Sequence, residues 1–172
     1  MEANDEVINR AMHILEVRMF GEGMLIGHPV NLFRHAYLML AQEHNEVLLG
    51  YWLDGQNRLL GCDRIAYGGE TSATFSLRSA ARLAISVGAV GAYFLHNHPT
   101  GPADPSPADI KSADRLNSYM AAVDVLTLGH FVLGRDRVRS VTSSLEFEII
   151  KSEYTGQRCP HCNWQLEQET AA

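Results

Sequence analysis

The chain reads as an α/β layered domain with a mixed sheet, and three features of the sequence predict it. Helical periodicity alternates with strand-like runs along the chain, and elements of both kinds must bury their apolar faces against each other in layers. Two strand-like runs flank Asp54-Gly55-Gln56-Asn57, a strong hairpin turn signal. Residues 89–95 are short, apolar and rich in aromatic or branched side chains, as a buried strand requires. With 46 % hydrophobic and 20 % charged residues, the 172 positions suit one compact domain with a short appendage at either end.

The first helix is predicted over residues 4–20. Asn4 or Asp5 can cap it, and Val7, Ile8, Ala11, Ile14, Leu15 and Met19 recur near helical spacing until Gly21-Glu22-Gly23 ends it. A second helix, 29–41, opens on Pro29, whose missing N–H has no partner in a first turn anyway. The hairpin strands are 46–53 and 58–67, and Gly68-Gly69 breaks the chain after them. Residues 76–87 read as helical, with Leu77, Ala80, Ala81, Ala84 and Ile85 on one face. The buried strand 89–95 leads into a loop rich in Pro and Gly, 96–105, and Ser106-Pro107-Ala108-Asp109 opens a helix to about residue 122. A second strand pair, 123–133 and 138–141, turns at Gly134-Arg135-Asp136; residues 145–154 predict a closing helix and a polar tail follows.

Charge and hydropathy exclude some functions. With 14 Lys+Arg against 20 Asp+Glu, a net charge of −6 argues against a protein whose main work is gripping phosphate backbones. The longest nearly apolar run, 84–95, is about a dozen residues where a spanning helix needs about 20, so no membrane partner is expected. The acidic N-terminus lacks the basic region of a secretory signal, and three cysteines, Cys62, Cys159 and Cys162, fit a reducing compartment. A cytoplasmic protein is the expectation.

The chemistry lies just past the buried strand. His96 and His98 stand at i and i+2, and in extended chain such side chains point the same way, about 7 Å apart along the backbone. That is a workable bite for two imidazoles on one metal ion. The third ligand is either Asp109, on the first turn of the next helix, or Asp104, in the loop. Two His and one Asp leave a fourth tetrahedral position for water, the pattern of a catalytic zinc rather than a structural one. Ser106-x-x-Asp109 also reads as a capping box, with Pro107 at the first helical position.

His-x-His, seven residues, then Ser-x-x-Asp resembles the metal signature of the JAMM (MPN-plus, or JAB) metalloprotease superfamily. Tyr93-Phe94-Leu95-His96-Asn97-His98-Pro99-Thr100-Gly101 resembles its bacterial RadC-like branch in particular. Ala41-Gln42-Glu43-His44 looks like the superfamily's upstream glutamate segment, whereas Glu46 and Glu70 lack a comparable context. The likeness runs over roughly residues 29–134. It implies a three-layer α-β-α domain of the JAB/MPN (cytidine-deaminase-like) fold at 29–154, after an N-terminal helix and linker, 1–28, and before a tail, 155–172. It implies Zn²⁺ held by His96, His98 and Asp109, Glu43 as general acid–base and Ser106 as donor to the oxyanion. The implied reaction is hydrolysis of an amide or isopeptide bond in a protein or peptide substrate. Two departures stand out: Ser76-Leu77-Arg78-Ser79 keeps only the Arg of a His-Pro-Arg-Glu segment, and Gly129-His130 replaces an Asp-His pair. The N-terminal region has space for one short helix, so the helix-hairpin-helix module of longer members is expected to be absent.

Arg158-Cys159-Pro160-His161-Cys162 holds a single C-x-x-C, half of a zinc ribbon, which a partner subunit or another histidine would have to complete. A zinc deaminase is a competing function, but it needs His-x-Glu and Pro-Cys-x-x-Cys, and the residue two after His96 is His98. A non-catalytic or DNA-repair-associated metal-binding module is the other; strong, salt-sensitive DNA binding without metal would mark it.

Overall fold

All seven residues of β1 (Val47–Leu53) are buried, which requires a packed layer on each face of the sheet. A computed structural model describing residues 2–21, 23–40, 43–67 and 77–148 supplies both layers. On one face Leu49, Tyr51, Leu95 and Phe131 pack with Leu32, Phe33 and Ala36 of α2 (Val30–Leu40). On the other, Leu48, Trp52 and Phe94 pack with Ala80 of α3 (Leu77–Ser86) and with Leu116 and Met120 of α4 (Pro107–Ala121). The α1 helix (Glu2–Phe20) lies against α2 and β2. The domain is therefore three-layered, α-β-α.

The sheet runs β2 (Leu59–Tyr67), β1, β3 (Gly91–Asn97), β4 (Leu126–Leu133), β5 (Arg137–Ser140), β6 (Glu146–Glu148). It is mixed: β3 and β4 are parallel and every other pair is antiparallel. A parallel pair needs a long crossover, and α4 provides it. The β1–β2 hairpin closes as its turn residues predict, with Asp54 Oδ1 accepting from the backbone N–H groups of Gln56 and Arg58, each at 2.8 Å.

The structure moves three predicted boundaries. The β3 strand continues through His96 to Asn97, and the His98 N–H extends the ladder by donating to Leu133 O at 2.9 Å. Residues 122–125 finish the last turn of α4, with Asp124 at φ 59°, so β4 begins only at Leu126. The closing helix predicted at 145–154 is wrong where described: Glu146-Phe147-Glu148 is an edge strand. Its period is two. Phe147 turns inward against Phe33 and Phe131, while the flanking Glu146 pairs with Arg137 and Arg139. Glu46, read as strand, lies just ahead of β1. Cys159, His161 and Cys162 lie outside the described residues. Among those described, no helix is long and apolar enough to cross a membrane.

Candidate metal centre

Strand β3 and helix α4 bring three side chains to one point. His96 Nε2 and His98 Nε2 are 3.2 Å apart, His96 Nε2 is 3.3 Å from Asp109 Oδ1, and His98 Nε2 is 3.4 Å from Asp109 Oδ2. In a tetrahedral zinc site with bonds of about 2.0–2.1 Å, ligand atoms stand about 3.3 Å from one another. The three edges match one face of that tetrahedron, so the residues present fit the ion. Among the described residues they form the one cluster of this kind. Asp104, the alternative third ligand, is turned away and pairs with Arg139.

The imidazoles are oriented from behind. His98 Nδ1 is 2.9 Å from Pro102 O. A carbonyl only accepts, so Nδ1 carries a proton and Nε2 is the atom a metal would take in place of its contact with Asp109. His96 Nδ1 lies 3.0 Å from Nε2 of His130, on the neighbouring strand β4. A His96 that reserves Nε2 for a metal carries its proton on Nδ1 and donates it to His130. Burial, together with the adjacent His96, pushes the His130 pKa down to about 3, so that ring is neutral and able to accept. Its own Nδ1 is buried with no hydrogen-bond partner among the described residues. In the sequence His130 stands out only within Gly129-His130, the departure from an Asp-His pair. Its role depends on the register that pairs Phe94 with His130, and local sequence carries no sign of that.

Asp109 is held as an anion. Burial alone raises its carboxyl, but hydrogen bonds from His96, His98 and Ser106 outweigh this and hold it well below the usual carboxylate range. The same contact with Asp109 raises His98. Ser106 is the N-cap of α4: its Oγ accepts from the Asp109 N–H at 3.2 Å, and its hydroxyl and its N–H each reach Asp109 Oδ2 at 2.7 Å. The capping box and the carboxylate of the candidate cluster are thus one arrangement, with the cap fixing the Asp109 rotamer.

The two upstream glutamates line different cavities. Glu43 follows α2, pairs with Arg64 of β2 and lines a cavity of about 240 Å³ together with His98 and Arg135. Glu46 lines a smaller recess of about 40 Å³ with His96, Asp109 and His130. Leu48 pairs with His96 across β1 and β3, and Glu46, two residues before Leu48, lies near enough to His98 to act on its charge. Asn97, between the histidines, clamps this segment: its Oδ1 accepts from Val47 N at 2.7 Å and its Nδ2 donates to Asn45 O at 3.1 Å. The middle residue of the His-x-His was the available signal for that clamp.

The chain is similar to known proteins along most of the described domain. The family model of the RadC-like JAB domain matches residues 26–146. A UPF0758 protein of Stenotrophomonas maltophilia (strain K279a) is 34 % identical over 116 residues, which cover 67 % of this chain and 50 % of that protein. A UPF0758 protein of Vibrio cholerae serotype O1 is 31 % identical over 132 residues, covering 77 % of this chain and 83 % of that protein. One from Methylibium petroleiphilum is 38 % identical over 103 residues, covering 60 % and 46 %. The chain spans about half the length of the Stenotrophomonas and Methylibium relatives and most of the Vibrio one.

Proposed function

The chain belongs to the RadC-like JAB domain family, and from that premise we propose that it is a zinc-dependent hydrolase acting on amide or isopeptide bonds of a protein or peptide. The observation that carries this reading is the near-tetrahedral face formed by His96, His98 and Asp109, with the His98 proton fixed on the far side of its ring. Zinc, when bound, supplies a Lewis acid and a water whose pKa is lowered towards neutrality.

The chain's own groups supply the rest. Hydrolysis needs a carboxylate that takes a proton from the attacking water and returns it to the leaving amine. Glu46 is the better placed of the two candidates, because it shares a recess with His96 and Asp109, while the Glu43 carboxylate is engaged by Arg64. Ser106 orients Asp109 through its hydroxyl. To donate to a developing oxyanion as well, that hydroxyl must leave Asp109 Oδ2, so the two roles compete for one proton.

The test pairs metal content with turnover. Zinc-loaded chain is incubated with a mixed peptide and isopeptide library, and cleavage is read by mass spectrometry. Wild type is expected to cleave and His98→Ala to lose both zinc and cleavage. Glu46→Gln is expected to keep zinc and lose at least 100-fold in rate, with Glu43→Gln close to wild type. A silent Glu43→Gln beside an active Glu46→Gln would move the base to Glu43. Stoichiometric zinc with no cleavage of any library member would sink the hydrolase and leave a metal-binding module.

A further inference from the structure

We infer that the cavity beside His98 is a subsite for a carboxylate of the substrate, and that Arg135 reads it. The cavity is distinct from the Glu46 recess and lies between the end of α2 and the turn joining β4 to β5. At about 240 Å³ it has room for about eight waters, or for one acidic side chain with some backbone. His98 forms part of its wall, so a group seated there is adjacent to the metal centre.

Arg135 is built into this place. Its backbone N–H donates to Gly101 O at 2.8 Å, and its carbonyl accepts from the Tyr37 hydroxyl at 3.4 Å. Gly134 allows the turn to sit that close, since a Cβ there would come within 2.6 Å of Gly101 O and 2.8 Å of Ala103 N. The guanidinium lies over Gly101, where a Cβ would stand 3.9 Å from Nη2. Gly101, at φ 111°, has none. With its backbone tethered on both sides, Arg135 lines the cavity and its side chain makes no hydrogen bond or ion pair among the described residues.

Charge selects the ligand. The Glu43 carboxylate on the cavity wall is already matched by Arg64. The Asn97 amide is occupied by Val47 and Asn45, and His98 Nδ1 by Pro102. Arg135 helps hold the neighbouring Asp136 carboxyl low, but Asp136 spends its hydrogen bonds on Arg137, so among the described residues the Arg135 donors stay open, on a chain whose net charge is −6. A guanidinium presents a planar fork that matches a carboxylate bidentately. The carboxylate comes either from an acidic side chain or from a free C-terminus.

This inference rests on the hydrolase reading only for calling the ligand a substrate, and its test reads binding rather than turnover. Three probes are titrated into the ¹⁵N-labelled full chain, zinc-loaded and zinc-free: acetyl-glycyl-glutamyl-glycinamide, acetyl-triglycine with a free C-terminus, and acetyl-glycyl-glutaminyl-glycinamide. The amide signals of Gly101, Gly134 and Arg135 are followed. At least one carboxylate probe is expected to shift them saturably in both metal states, with the glutamine probe at least tenfold weaker; which carboxylate binds identifies the source. Arg135→Gln should weaken the carboxylate probe at least tenfold without changing zinc stoichiometry, and Arg135→Lys should recover part of the loss. Equal binding of the glutamine probe, unchanged affinity in Arg135→Gln, or shifts that need zinc and centre on His96 and His98 would each overturn it. Loss of hydrolysis elsewhere does not affect this readout, and loss of probe binding does not affect the cleavage assay.

Discussion

His96, His98 and Asp109, the candidate metal cluster, have little side-chain freedom. Each is held at a second atom: His98 by Pro102, His96 by His130, Asp109 by Ser106. Such supporting contacts commonly change metal affinity 10–100-fold when removed. His130→Leu is therefore expected to weaken zinc binding by about that factor. His130→Gln, whose amide can reach the position of Nε2, should keep most of it. Competition with a chromophoric chelator measures both, and equal losses in the two variants would reduce His130 to packing. Because Asp109 raises the His98 pKa above its ordinary value, protons compete for the site at higher pH than for an isolated imidazole. Zinc affinity should begin to fall while the solution is still above pH 6.5, the ordinary histidine value, which the same chelator titration reads.

Between elements, the site depends on two loops meeting. The loop after β3 carries His98, and the β4–β5 turn docks on it through Gly134. Gly134→Ala must push the two apart, since backbone atoms at 2.6 and 2.8 Å cannot yield as a flexible side chain would. A loss of about 1–3 kcal/mol in urea unfolding is expected, together with weaker zinc binding. Ser106→Ala removes the cap of α4 at a cost of about 1 kcal/mol and frees Asp109 Oδ2 at the same time. It should therefore lower both the unfolding midpoint and zinc affinity, whereas a lost cap alone lowers only the first.

Over the whole molecule, the buried histidines give the metal-free protein an optimum in pH. Burial lowers His35, and burial with His96 lowers His130 to about 3, so below pH 6.5 the unfolded chain binds protons that the folded chain refuses. Stability then falls with decreasing pH, by up to about 1.4 kcal/mol per unit for each such group. His98 acts in the opposite sense: its raised pKa adds stability that is complete below pH 6.5 and is lost as pH rises through the folded value. The metal-free chain should be most stable near pH 6.5, and His130→Leu should flatten the acid side in chemical denaturation. At pH 7.5, zinc at about 100 times its dissociation constant should add about 2.7 kcal/mol, and a chelator should remove it. A melting temperature indifferent to chelation would contradict the site.

The sequence by itself determined the layered class, most element positions and the three residues that the structure brings together as a candidate metal cluster. Each of these is written locally: apolar period, turn residues, and a His-x-His running into a helix cap. It could not place Glu46, Asn97, His130 or Arg135, and it made β6 a helix. Those residues matter through strand register, which pairs Leu48 with His96 and Phe94 with His130, and through the docking of the β4–β5 turn. Register is a property of two strands far apart in the chain, decided by which faces the α2 layer and the α3–α4 layer bury. Only the packed sheet therefore separates the glutamate beside the metal ligands from the one three residues earlier that faces the neighbouring cavity.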